Sequence, residues 1–156
     1  QPKDSLKEMI KRENGRLQWA IKRSGKFGHL KYLAIDGNAV TGEYRDIWYD
    51  RELKMLLGEH GHLTYILDPE TGNEVSDGYH ELWYHQGLRL LLGEITYFTH
   101  VIRPNTGEQV TDGYLRLEKR GESIVGKVGG VEEVLENIHL HQFTSPSGKL
   151  QFTLSS

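Results

Sequence analysis

The chain has no cysteine among its 156 residues. This excludes a disulfide framework, a thiolate metal site and a thiol nucleophile. It leaves the compartment open, because cysteine-free proteins occur on both sides of the cell envelope. No apolar run approaches the roughly 18–20 residues that a membrane-spanning helix needs, so no membrane span is expected.

An excess of positive charge is also absent. The formal net charge is −3, and the sequence has no cluster of lysine and arginine. Because phosphate binding normally needs such a cluster, the composition argues against a nucleic-acid partner. The sequence contains no Gly-x-Ser-x-Gly elbow, and its glycine-rich run at 126–130 lacks the spacing of a phosphate-binding loop. No cofactor is therefore expected.

What the chain does have is an ordinary globular composition. Hydrophobic residues make up 37% and charged residues 26%, with 18 glycines against four prolines. Such a chain suits a single domain over 1–156 with many tight turns. It begins with Gln1 rather than Met, and we expect it to be a processed product or part of a larger polypeptide.

A period of 35 residues runs through the chain. The segments 56–59 and 91–94 both read Leu-Leu-Gly-Glu, and each is followed by a Pro-x-Thr-Gly turn. Other residues recur at the same spacing: Val40, Val75 and Val110, and likewise Tyr44, Tyr79 and Tyr114. A fixed period of this length indicates one supersecondary unit copied several times.

The segments between these turns look like strands, with three strands in each full unit. The strand that opens a unit follows a glycine and recurs five times, after Gly15, Gly42, Gly78, Gly113 and Gly148. The sequence therefore predicts an all-β domain over 15–156, as an antiparallel meander or a barrel-like sheet of 35-residue repeats. A short helix is predicted at 3–13, where Leu6, Met9 and Ile10 have helical spacing before Asn14-Gly15.

Side chains alternate between two faces along a strand, so the opening strand can be divided in two. One face is mostly apolar in every copy and is predicted to form the core: Leu17, Trp19, Ile21, Arg45, Ile47, Tyr49, His80, Leu82, Tyr84, Leu115, Leu117, Leu150, Phe152 and Leu154. The other face is polar in the first and last copies. In the middle copies it carries large rings and charges: Tyr44, Asp46, Trp48, Tyr79, Glu81, Trp83, Tyr114 and Arg116.

Rings and carboxylates opposite a core favour a binding surface. Tyrosine and tryptophan offer flat apolar area with a polar group, and carboxylates accept hydrogen bonds from hydroxyl groups. The face therefore predicts a non-enzymatic module that binds a glycan or a partner protein. The alternative for the same rings is packing, beneath a neighbouring layer or inside a small barrel, where cross-strand aromatic pairs also stabilise a sheet.

Two further interpretations concern polar residues. Asp46 and Glu81 occupy equivalent positions, and a carboxylate pair in a barrel lumen could act as acid and base on a small molecule, unless Arg116 neutralises it. Two histidine pairs, His60 with His62 and His139 with His141, have the i, i+2 spacing that places ligands on one side of a strand. Nothing in the sequence joins the two histidine pairs into one metal site.

One family resembles part of this pattern. Over residues 53–117, Leu-Leu-Gly-Glu, an aromatic strand, Pro-x-Thr-Gly-x-x-Val and a following tyrosine are similar to the WG-type β-repeats of bacterial proteins. The Trp-Gly dipeptide of that family is absent, and Phe27-Gly28 is the nearest substitute. The resemblance implies a non-enzymatic β-repeat binding module, without individual site residues to transfer.

Overall fold

The computed structural model describes residues 9–13, 17–50, 53, 55–68, 71–104, 106–144 and 153–154. These residues form strands and two short 3₁₀ turns, Lys26–Gly28 and Ile138–His141. The described segments contain no α-helix, and hence none long and apolar enough to cross a membrane. The all-β prediction is confirmed.

The strands pair antiparallel in four sheets. Sheet 1 has the order β14-β1-β2-β3-β4, and sheets 2, 3 and 4 are the meanders β5-β6-β7, β8-β9-β10 and β11-β12-β13. The sheets do not close into a barrel. The strand bounds are β1 Met9–Glu13, β2 Leu17–Ser24, β3 Leu30–Ile35, β4 Asn38–Ala39, β5 Asp46–Asp50, β6 Met55–His60, β7 Leu63–Leu67, β8 Glu81–His85, β9 Leu90–Ile95, β10 Phe98–Ile102, β11 Arg116–Arg120, β12 Ser123–Val128, β13 Val131–Val134 and β14 Thr153–Leu154.

The predicted helix at 3–13 is wrong where the structure can be compared with it. Residues 9–13 form β1, which pairs with β2 so that Glu13 lies opposite Leu17; residues 3–8 lie outside the described part. The dipeptide Asn14-Gly15 was interpreted as a helix stop, but it is equally typical of a β-hairpin turn. Pairing with β2 outweighs the helical spacing of a segment this short, because isolated short helices are marginal in water.

Neighbouring sheets are joined through the repeated tyrosines. Tyr44 exchanges two backbone hydrogen bonds of 2.8 and 2.9 Å with Lys31 of β3, immediately before the chain enters β5. Tyr79 pairs in the same way with Thr64, and Tyr114 with Thr99. The backbone therefore passes from the edge of one sheet directly into the next, which brings successive sheets face to face.

Three apolar clusters lie between these faces. The first joins Ile21 and Leu33 of sheet 1 to sheet 2, the second joins sheets 2 and 3, and the third joins sheets 3 and 4. Sheet 2 is consequently buried on both faces, with Ile47 in the first cluster and Trp48 in the second. The prediction of one apolar and one solvated face is therefore wrong for this sheet.

The predicted core face is correct at several positions and wrong at others. Ile21, Ile47, Tyr49 and Leu82 are buried, whereas Arg45, His80 and Leu115 are exposed near the strand starts. The fifth copy of the opening strand falls mostly outside the described residues. Its last two residues form β14, which pairs with β1 and brings the two ends of the described chain together.

Candidate functional site

The rings predicted to form a binding face are mostly interior. Tyr44, Trp48, Tyr79 and Tyr114 are only 5%, 6%, 1% and 4% exposed, and Trp83 is half-buried in the third cluster. The prediction that these rings present a shared contact surface is therefore wrong. The packing alternative holds instead. Tyr44 lies in the cluster between sheets 1 and 2, and Trp48 and Tyr79 lie in the cluster between sheets 2 and 3.

Each buried tyrosine lies across a glycine of the middle strand in its own sheet. A Cβ atom built at that glycine would collide with the ring, so only glycine allows the close approach. The distances from such a Cβ to the nearest ring carbon of tyrosine are 3.0 Å for Gly58 and Tyr44, 2.8 Å for Gly93 and Tyr79, and 2.6 Å for Gly126 and Tyr114. The recurring glycine of Leu-Leu-Gly-Glu is thus explained by packing.

The tyrosine hydroxyls are held as well. Tyr44 donates to Glu74 Oε2 at 2.6 Å, Tyr79 donates to Gln109 Oε1 at 3.0 Å, and Tyr114 donates to Glu133. Burial raises the pKa of Tyr79 to about 12. Burial, and then the carboxylate partner, also raise the pKa values of Tyr44 and Tyr114. These phenols therefore stay protonated near neutral pH and act as fixed donors that hold the sheet together.

The predicted carboxylate pair is not assembled. Asp46 lies 2.7 Å from Lys31 Nζ, whereas Glu81 is exposed on sheet 3. The partner of Asp46 belongs to sheet 1, whereas Glu81 shares the face of Trp83, towards sheet 4, by strand alternation. Arg116 is exposed on sheet 4, and without a closed barrel there is no lumen for these side chains to line.

The four histidines do not form the predicted pairs. His60 Nε2 lies 3.0 Å from Glu74 Oε2, and its ring stacks on Tyr65 at 4.6 Å between centroids. His62 lies beyond the end of β6, and His139 and His141 lie in a 3₁₀ turn rather than on a strand. Among the described residues no group of three or more histidine, aspartate or glutamate side chains could hold a metal ion. Burial, and then Arg103, lower the pKa of His141.

A groove marks the end of the stack. In earlier sheets the Pro-x-Thr-Gly turn covers a valine: a Cβ at Gly72 would lie 2.6 Å from Val40 Cγ2. Among the described residues no such turn covers Val110, which lines an open groove of about 540 Å³. The groove is polar, with Asp112 and Glu136 on its walls and the hydroxyl end of the Tyr114–Glu133 pair.

Exposed rings occur elsewhere, at the hairpin tips that join the second to the third strand of each meander. Phe27, His62 and Tyr97 lie at these tips in sheets 1, 2 and 3, spaced 35 residues apart. Their φ angles are 64°, 65° and 71°, in the left-handed region. The first tip is a five-residue loop and the other two are two-residue turns. We call this set of three side chains the ring edge.

The ring edge is unusual for two reasons. A left-handed conformation costs a residue with a side chain about 1–2 kcal/mol, and the equivalent tip of sheet 4 uses Gly129-Gly130 instead. Phe27 and Tyr97 are each 83% exposed, so neither ring recovers that cost by packing. At the two-residue tips a positive φ is what a type I′ turn requires of His62 and Tyr97. The exposed rings of Phe27 and Tyr97 are accessible to a contact outside the chain.

The three tips lie along one edge of the stack. Lys31, next to the first tip, pairs with the strand leading into sheet 2, and Thr64, next to the second tip, pairs with the strand leading into sheet 3. Strand and sheet spacings place successive tips on the order of 10–15 Å apart. The ring edge therefore forms a row rather than a single pocket.

The surroundings differ along this row. Lys26 Nζ lies 5.6 Å from the centre of the Phe27 ring, and the His29 ring meets it edge-on at 5.9 Å. A Cβ built at Gly28 would lie 3.8 Å from the Cβ and Cδ atoms of Arg23, so the Arg23 stem runs near this tip. At the other end, Tyr97 is followed by the exposed Phe98. The row is cationic at sheet 1 and apolar at sheet 3.

Sequence comparison across the units could have found the ring edge. The spacing of 35 residues that aligns Tyr44 with Tyr79 also aligns Phe27 with His62 and Tyr97. The predicted binding face rests on the opening strands alone, and the residue types of Phe27, His62 and Tyr97 give no indication of a positive φ. No protein-family model, curated protein or solved structure matches this chain.

Proposed function

We propose that this chain is a non-enzymatic binding module that contacts a glycan through the ring edge. The observation that carries the proposal is the strained, exposed placement of Phe27, His62 and Tyr97 at equivalent hairpin tips. An aromatic face provides flat apolar area for the C–H face of a sugar ring, and the tyrosine hydroxyl adds a polar contact. The resemblance of residues 53–117 to WG-type repeats agrees with this class of protein.

The spacing of the tips favours an extended ligand. Three rings at intervals on the order of 10–15 Å span about 20–30 Å, which exceeds the length of one sugar ring. A chain of sugars can therefore contact two or three rings at once, and each added contact raises the overall affinity through effective concentration. We expect affinity to rise with oligosaccharide length until the third ring is reached.

The same geometry favours binding over the carboxylate chemistry considered from the sequence. The rings project from the surface and enclose no volume from which water would be excluded. Asp46 is ion-paired with Lys31 of sheet 1, and Glu81 lies on the face of sheet 3 towards sheet 4. A protein partner is the second candidate for the ring edge, since exposed aromatic side chains also anchor protein interfaces.

The test uses Phe27→Gly and Tyr97→Gly. Glycine accepts a positive φ, so each substitution removes the ring and relieves strain, and the free energy of unfolding should stay unchanged or rise by about 0.5–1 kcal/mol. Retention on a glycan array and affinity by calorimetry should nevertheless fall at least tenfold in the double variant.

The matched control is Leu140→Ala, which removes an exposed apolar side chain distant from the tips in sequence. It should leave glycan affinity unchanged. Wild-type affinity in the double glycine variant, or an equal loss in Leu140→Ala, would contradict the proposal. Loss of glycan binding together with loss of folding would show that the tips are structural.

A further inference from the structure

We infer that the glycan is acidic, and that its carboxylate or sulfate groups bind at the Phe27 tip. This inference rests on the proposed function and narrows its ligand class. The ammonium group of Lys26 lies over the Phe27 ring and Arg23 is exposed on the preceding strand, whereas the Tyr97 tip is followed by the exposed Phe98. The Phe27 end of the ring edge is therefore suited to binding an anionic group.

The cations at this tip differ from other cations of the molecule. Lys31 is neutralised by Asp46 at 2.7 Å, and Lys127 by Glu118 at 2.7 Å. Over the described residues, neither Arg23 nor Lys26 forms an ion pair with an acidic side chain. Their charges are available to a ligand.

Arg23 of β2 lies directly opposite Lys31 of β3, whose own charge is balanced by Asp46. Lys26 lies over the Phe27 ring, where an ammonium group gains from the negative face of the π system. An anionic group bound next to the ring would therefore meet an ammonium group that has no acidic partner among the described residues.

The aromatic rings and the cations can contact the same ligand. A sugar chain with acidic substituents offers C–H faces to Phe27, His62 and Tyr97, and offers its charges to Arg23 and Lys26. Two exposed ion pairs contribute modestly, and together they correspond to an affinity gain of about fivefold to tenfold. The charge contribution should weaken with added salt, while the ring contribution should not.

The experiment measures affinity of the whole chain by calorimetry for polygalacturonate (carboxylate), dextran sulfate (sulfate) and unmodified dextran (neutral). The variant R23Q/K26Q removes both charges. The control K119Q/R89Q removes one lysine and one arginine, both exposed, from other strands and loops. Thermal unfolding of both double variants checks that the fold is unchanged.

We expect R23Q/K26Q to bind at least one acidic polymer about fivefold to tenfold more weakly and with a smaller salt dependence. The control should bind like the wild type. Whether the carboxylate or the sulfate polymer responds identifies the acidic group. Equal affinity of the wild type for acidic and neutral polymers, or an unchanged affinity in R23Q/K26Q, would overturn the inference and leave the proposed function standing.

Two other results would bear on the proposed glycan binding itself. If Phe27→Gly and Tyr97→Gly leave every glycan affinity unchanged, or if no glycan binds, the proposed function fails and the inference fails with it. Oligo(dT) serves as a comparison polyanion in the same arrangement, with phosphate charges and flat thymine bases in place of pyranose rings. Binding of oligo(dT) that needs both the rings and the two cations, in the absence of glycan binding, would overturn the glycan assignment in favour of a nucleic acid.

Discussion

Sheets 2 and 4 have the same strand order, but their faces differ in polarity. Both faces of sheet 2 are apolar, whereas the outer face of sheet 4 is charged. Trp48 of β5 and Glu118 of β11 occupy the same position, 70 residues apart, or two periods. Trp48 is buried against sheet 3, whereas Glu118 lies on the outer face of the last sheet and binds Arg120 and Lys127. The residue type at this position depends on whether another sheet follows.

Sheet 4 therefore caps the stack. Its outer face carries a network in which Arg120 and Lys127 each contact both Glu118 and Glu132, at 2.7–3.2 Å. A stacked array needs such a polar terminal face to stay soluble, since an apolar one would bind further copies. Sheet 2 cannot expose its faces in this way, because both are apolar.

The largest expected effect comes from exchanging these two residues. Trp48→Glu would bury a charge between sheets 2 and 3, and should lower the free energy of unfolding by more than about 4 kcal/mol. Denaturant unfolding measures this change. The reciprocal Glu118→Trp should change stability by less than about 1 kcal/mol, but should cause concentration-dependent association in sedimentation experiments. A stable, monomeric Trp48→Glu protein would disprove the stacked arrangement.

A smaller effect is expected where a tyrosine crosses a glycine. Gly93→Ala places a Cβ 2.8 Å from the buried Tyr79 ring, and should cost about 1–3 kcal/mol as the ring shifts. Gly42→Ala is the matched control, because a Cβ there meets nothing within 4 Å. Thermal unfolding compares the two. Similar melting temperatures for both variants would mean that the ring does not depend on the glycine.

The smallest effect concerns the cap. Hydrogen bonds from Arg120 and then Lys127 lower the pKa of Glu132 to about 2, from an ordinary value of 4.5. Because the pKa is depressed in the folded state, the stabilisation is present above pH 4.5 and is lost as the pH falls towards 2. Glu132→Gln should therefore lower the melting temperature slightly at pH 7 and not at pH 2, with less difference at high salt. A difference that persists at pH 2 would contradict this origin.

The turns and the meander could be predicted because they depend on local chemistry. Gly72 and Gly107 close the two Pro-x-Thr-Gly turns with positive φ values of 77° and 73°, as those turns require. Because the turns are short, consecutive strands lie side by side, and their antiparallel hydrogen bonding can be predicted as well. The N-terminal strand could not be predicted in the same way, because a five-residue segment has too little pattern to separate a strand from a helix.

The burial of the rings depended on contacts between distant parts of the chain. Alternation along β5 indicates only that two faces differ, and says nothing about what covers each face. An indication existed in the middle and third strands: Met55-Leu56-Leu57 and Ile66-Leu67 are continuous apolar runs, which are typical of strands buried on both faces. By contrast, β11 is charged at every position except Leu117, as suits a strand of the terminal sheet.

The packing of each tyrosine against a glycine of its own sheet bears on whether whole 35-residue periods can be added or removed. Tyr79 contacts Gly93 and Gln109 within one period, while its apolar cluster and the backbone pairing at Thr64 join it to the previous sheet. Inserting or deleting a whole period between sheets 1 and 4 would preserve the contact of each tyrosine with its own glycine. It would also add or remove one hairpin tip, and under the proposed function the length of polymer contacted would change accordingly.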